Sequence, residues 1–118
     1  MSGIGTNEPV SLVSIGATLR SKAADASSGH SAQSIGHDES SRLRQTVIAL
    51  RGGSALSDHE SPGSASLQVI DGTVELHTAD HRWTCTAGDI IQIPPARHGV
   101  DAVTDALVLL TVALSSDH

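Results

Sequence analysis

Residues 65–78, "ASLQVIDGTVELHT", alternate apolar and polar side chains on both sides of an Asp-Gly pair. Leu67 and Val69 share one face before the pair, and Val74 and Leu76 share one face after it. Successive side chains of a strand point to opposite faces, so each half reads as a half-buried strand. Asp71 and Gly72 have the chemistry of a tight two-residue turn, and the stretch predicts a β-hairpin.

The pattern continues on both sides. "LRQTVIAL" at 43–50 is rich in β-branched and apolar residues and stops at Gly52 and Gly53. "RWTCT" at 82–86 reads as another strand, closed by Ala87, Gly88 and Asp89. "IIQIPP" at 90–95 ends in two prolines, which donate no ladder hydrogen bond. "DALVLLTVAL" at 105–114 is long and apolar enough for a well-buried final strand. Five or more short strands with turns at regular spacing predict an all-β sandwich or barrel.

The amino-terminal third differs. Ten of the first 41 residues are serine. Leu12, Ile15, Leu19, Ala23 and Ala26 recur every three or four positions, the period of one helix face. Asn7, Glu8 and Pro9 suit a helix start, "SSGH" at 27–30 suits its end, and Gly16 weakens the pattern between them. The expectation is a short helix or arm within residues 1–41, packed on a barrel of residues 42–118.

Composition excludes several classes of function. The chain has 118 residues, the size of one domain. It has no Phe or Tyr, and Trp83 is its only aromatic residue, so the core must be aliphatic and base stacking has no platform. Seven Lys and Arg against 13 Asp and Glu leave a formal net charge of -6, which repels a phosphate backbone. No nucleic-acid partner is expected. No run approaches the ~18–20 apolar residues of a membrane span. The start of the chain lacks the pattern of a secretory signal, and Cys85 has no second cysteine to pair with. A soluble cytoplasmic protein with no membrane partner is the expectation.

Two spaced motifs then carry a resemblance. Gly53 is followed by five residues and His59; Ser61 stands two residues on, Ala65 four further, and Gly72 seven after that. The spacing is that of the first motif of the small single-domain cupins, G-x5-H-x-H-x(3,4)-E-x6-G. Ser61 and Ala65 occupy its second His and its Glu positions. Gly88, five residues and Pro94 match the second motif, G-x5-P-x-G-x2-H-x3-N. There Ala96 stands at the Gly position, His98 arrives one residue early, and the Asn position falls on Ala102 or Val103. The resemblance covers roughly residues 43–114. It extends to small cupins with an "LRQT" strand and a "PG-x-A-x-LQV" stretch, a group with no single assigned activity.

The resemblance implies a jelly-roll (double-stranded β-helix) barrel of two antiparallel sheets with a ligand pocket inside. It also implies a metal centre of three His and one Glu holding iron, manganese, nickel or zinc. Imidazole and carboxylate suit such ions, and an open coordination position admits oxygen or substrate. Carried over residue by residue, only His59 and His98 remain, as metal ligands or as polar pocket lining. A divalent metal (Zn, Ni, Fe or Mn) would therefore be held weakly or not at all.

Arg97, beside His98, is a candidate to bind an anionic ligand at the pocket rim or else a surface salt-bridge partner. His37 stands ahead of the barrel, either folded over the pocket mouth or exposed in a loop. His77 has the parity of Glu75 and should face solvent, and the arginines of "SRLRQTVIALR" read as a solvated face. Ser57, Asp58 and His59 form no local triad, because neighbours on a strand point to opposite faces. The expected function is a small-molecule-binding cupin with a degenerate metal site. The alternative is a metal-dependent oxygenase or isomerase using His59, His98 and a third ligand outside the motif. A domain this small also gains buried area by pairing, so a homodimer is expected.

Overall fold

A computed structural model describes residues 8–36, 41–60 and 63–114. Helix α1 spans Leu12–Asp25 and is capped by Ser11, whose hydroxyl accepts from the Ser14 N–H at 3.1 Å. It thus starts after the expected Asn7-Glu8-Pro9 segment, of which Asn7 lies outside the described residues. Leu19 and Ala23 are buried against Val47, Ala49 and Leu107. A Cβ at Gly16 would meet Leu107 Cδ2 at 2.6 Å, so the glycine that weakens the helix lets it lie close to the sheet. Arg51 Nη1 donates to the carbonyls of Ala23, Ala24 and Ala26 at 3.4, 3.0 and 3.2 Å. Carbonyls at a helix end lack intrahelical partners. Arg51 therefore closes the helix, a role that the expected solvated face did not include.

Nine strands follow among the described residues: β1 (His30–Ile35), β2 (Leu43–Leu50), β3 (Ala55–His59), β4 (Ser64–Asp71), β5 (Thr73–His77), β6 (Arg82–Thr86), β7 (Ile90–Gln92), β8 (His98–Ala102) and β9 (Ala106–Ala113). They form two antiparallel sheets, in the orders β1-β2-β9-β4-β7 and β3-β8-β5-β6. The all-β, two-sheet architecture is the one expected. β1 falls in the Ser-rich segment and pairs with β2 from His30↔Leu50 to Ile35↔Gln45, a strand that its polar composition did not show.

The hairpin is a correction. β4 pairs with β7 and β9, whereas β5 pairs with β6 and β8, so residues 65–78 cross from one sheet to the other. Gly72 is the corner, at φ +84, and a Cβ there would stand 2.1 Å from the Asp105 carbonyl oxygen. Leu67 and Val69 of one sheet and Val74 and Leu76 of the other all enter the same core. That explains the alternation on both sides. Arg20 of α1 ties the corner down through a 2.6 Å ion pair with Asp71.

The core between the sheets is aliphatic, with Leu50, Leu67, Leu76, Val69, Val74 and Val108 its largest fully buried members there. Trp83 packs against it from β6 and is partly buried. No described helix is long and apolar enough to cross a membrane.

Candidate functional site

The site begins with an irregularity in β3. Leu56 pairs with Val100 and His59 with His98, so three steps along β3 match two along β8. One extra residue on a strand is a β-bulge, and it reverses the side-chain alternation. Without it His59 would face away from Leu56. With it, Leu56 and His59 share the inner face with His98, Val100 and Ala102.

His98 reaches its place by a different route. Pro94 and Pro95 end β7, the chain turns through an Ala96 N–H to Pro94 carbonyl bond of 2.7 Å, and β8 starts at His98. His98 is 2% exposed, a buried polar residue in an otherwise apolar interior. The two imidazoles meet edge to face, with ring centroids 4.4 Å apart and planes at 62°. Each ring turns Nδ1 to the carbonyl two residues back, His59 to Ser57 and His98 to Ala96, both at 2.9 Å. A carbonyl only accepts, so each Nδ1 is the donor of its contact, and in the neutral ring this selects the tautomer in which Nε2 offers a lone pair. Anchoring of that kind fixes tautomer and ring orientation wherever imidazole serves as a ligand.

The resemblance implied an inner pocket lined by this pair. His59 is exposed at the end of β3, while His98 is buried at the edge of the aliphatic core. The pair therefore sits at the barrel mouth. Ala65 points inward, 6% exposed, and offers no donor. Ser61 and His37 lie outside the described residues. Among the described residues, no three His, Cys, Asp or Glu side chains come together to hold a metal ion. These donors do not fit a centre of three His and one Glu; two imidazoles are what remain.

Arg97 flanks the mouth. Its Nη1 faces Glu60 Oε2 at 3.4 Å, and Nη2 donates to the Asp58 carbonyl at 3.3 Å. It is exposed and already engaged with β3. Behind the pair, on the outer face, lies a network that the sequence did not reveal. His77 Nε2 is 3.4 Å from Asp101 Oδ2, while Arg82 Nη1 is 2.7 Å from Glu75 Oε1 and 3.9 Å from Asp101. Strand parity placed Glu75 and His77 on that face, but only the pairing of β5 with β8 brings Asp101 to them. His77 is outward-facing as expected, yet its side chain is only 17% exposed. His81 stacks on Trp83 at 5.4 Å between centroids and 14° between planes. Burial in the core, and secondarily the Asp89 carboxylate, push the Cys85 thiol pKa up, which suits an inert packed thiol.

No family model matches the sequence, and no curated protein does. The architecture does match solved structures. A cupin superfamily protein from Desulfitobacterium hafniense superimposes with a TM-score of 0.71 at 14% identity, over 92% of this chain and 93% of that one. The fold is a cupin. An RmlC-like cupin from Shewanella frigidimarina is similar over 79% of this chain and 83% of its own, at TM-score 0.66 and 22% identity. The cupin barrel also resembles part of a salicylate 1,2-dioxygenase from Pseudoaminobacter salicylatoxidans. That match has a TM-score of 0.66 and 21% identity, and covers 75% of this chain but only 26% of the enzyme.

Proposed function

We propose that this cupin is a small-molecule-binding protein whose recognition site is the barrel mouth around His59, His98 and Arg97, with a weak divalent-metal site at the two histidines. One observation carries the proposal: two imidazoles in ring contact, each with Nδ1 anchored and Nε2 left as a donor. Weak binding follows from donor count. Two neutral imidazoles leave most of the coordination to water, and the carboxylate that would add charge has become Ala65. Arg97 contributes a cation at the rim for an anionic ligand, at the cost of its contact with Glu60.

The second reading, a metal-dependent oxygenase or isomerase, is favoured by the anchored tautomers, which are what a working metal ligand needs. Titration calorimetry with zinc on protein purified without an affinity tag separates the two. The expected result is a dissociation constant weaker than about 1 μM, lost in His98→Ala. One metal per chain bound with sub-micromolar affinity would overturn the weak-site reading and put the enzyme first.

A further inference from the structure

Gly99 lies one residue beyond His98 on β8 and faces the opposite side of the sheet. A Cβ placed there would stand 2.3 Å from Asp58 Oδ1, 2.8 Å from His77 Cε1 and 3.0 Å from His77 Nε2. A carboxylate from β3 and an imidazole from β5 thus close over β8 at the one point where it has no side chain. The Nε2 of the same imidazole is paired with Asp101 at 3.4 Å, and the Asp58 carboxylate lies beside the ring over Gly99. Glu75 and Arg82, the other charged groups on this face, are paired with each other at 2.7 Å.

Asp58 is also part of the bulge, immediately before His59. Its carbonyl is held by Arg97 at 3.3 Å and its side chain reaches over Gly99. A bulge without such restraint is free to shift by one residue, and such a shift moves each side chain to the other face. His59 would then turn away from His98. The strand itself offers little resistance, because β3 is an edge strand paired only with β8 among the described residues.

We propose that Asp58, His77 and Gly99 form a pin on the outer face that sets the register of the β3 bulge and so holds His59 against His98. Asp58 and His77 are positioning residues. They act through the backbone of β3, and Gly99 supplies the space over which both side chains lie. The inference rests on the reading of His59 and His98 as the ligand-binding pair, and its test separates the two ideas.

The test compares the parent chain with Asp58→Asn, which keeps shape and removes charge, and Gly99→Ala, which fills the space. Asp71→Asn serves as a control, making the same charge change at the remote ion pair with Arg20. Two quantities are read: the nuclear Overhauser effect between the His59 and His98 ring protons, and zinc affinity by calorimetry. The pin requires the ring-to-ring effect to weaken or vanish in Asp58→Asn and Gly99→Ala and to persist in Asp71→Asn. Zinc affinity should fall by about threefold or more in step with it. Undiminished ring contact in Asp58→Asn overturns the pin, and that variant, at an exposed position, decides the matter if Gly99→Ala does not fold. A parent chain that binds no zinc removes the metal reading alone, since the ring contact still tests the pin.

Discussion

At the scale of single residues, the site is defined as much by what is absent as by what is present. Ala65 stands where the related motif has a carboxylate, faces inward and belongs to the apolar core. Ala65→Glu should therefore destabilise the metal-free chain by about 2 kcal/mol or more, the cost of placing an unpaired carboxylate among aliphatic side chains. Zinc should restore part of that loss if Glu at 65 reaches the imidazole pair. Thermal melts of parent and variant, with and without zinc, provide the check. A variant as stable as the parent without metal would show that position 65 does not point inward. Tenfold tighter zinc binding on adding Ser61→His, about 1.4 kcal/mol, would extend the same register to the second motif position.

At the scale of elements, α1 and the Gly72 corner do different work. The helix covers one part of the outer face of the larger sheet, with Leu19 and Ala23 buried there and Val13 83% exposed on its far side. Leu19→Ala should cost about 2–4 kcal/mol in urea unfolding, and Val13→Ala should change stability by less than about 0.5 kcal/mol. Equal effects would mean that the helix does not pack on this face. Gly72→Ala should be worse than an ordinary surface change. The new Cβ meets the Asp105 carbonyl at 2.1 Å, and φ +84 is strained for any residue with a side chain. Because the corner passes β4 to one sheet and β5 to the other, its strain is felt by both.

At the scale of the whole molecule, pairing of two chains remains a proposal that follows from the small size of the domain. A dimer predicts a thermal midpoint that rises with protein concentration, because mass action links folding to association. Light scattering that gives a monomer mass at micromolar concentration would rule it out. Much of the fold is legible in the order of residues. Alternation marks β4 and β5, since a strand between a core and solvent must alternate, whereas β2 and β9 show as apolar runs because the core covers one of their faces and α1 covers part of the other. The 3.6-residue period marks α1, and the glycine spacing points to the cupin barrel. The resemblance also places His59 and His98 at one site, because the first motif keeps its intervals and the second misses its His position by only one residue. β1 is invisible there, since its polar residues owe their pairing to β2 rather than to any pattern of their own. The hairpin reading fails for a more general reason. Leu67, Val69, Val74 and Leu76 would show the same alternation whether their strands paired or faced each other across a core, so local pattern does not separate the two. The bulge that turns His59 toward His98, and the contact of His77 with Asp101 on the opposite face, depend on which strands become neighbours. Residue order alone established which segments carry an apolar face for the core; strand partnership, set by long-range packing, decided which of the polar side chains meet.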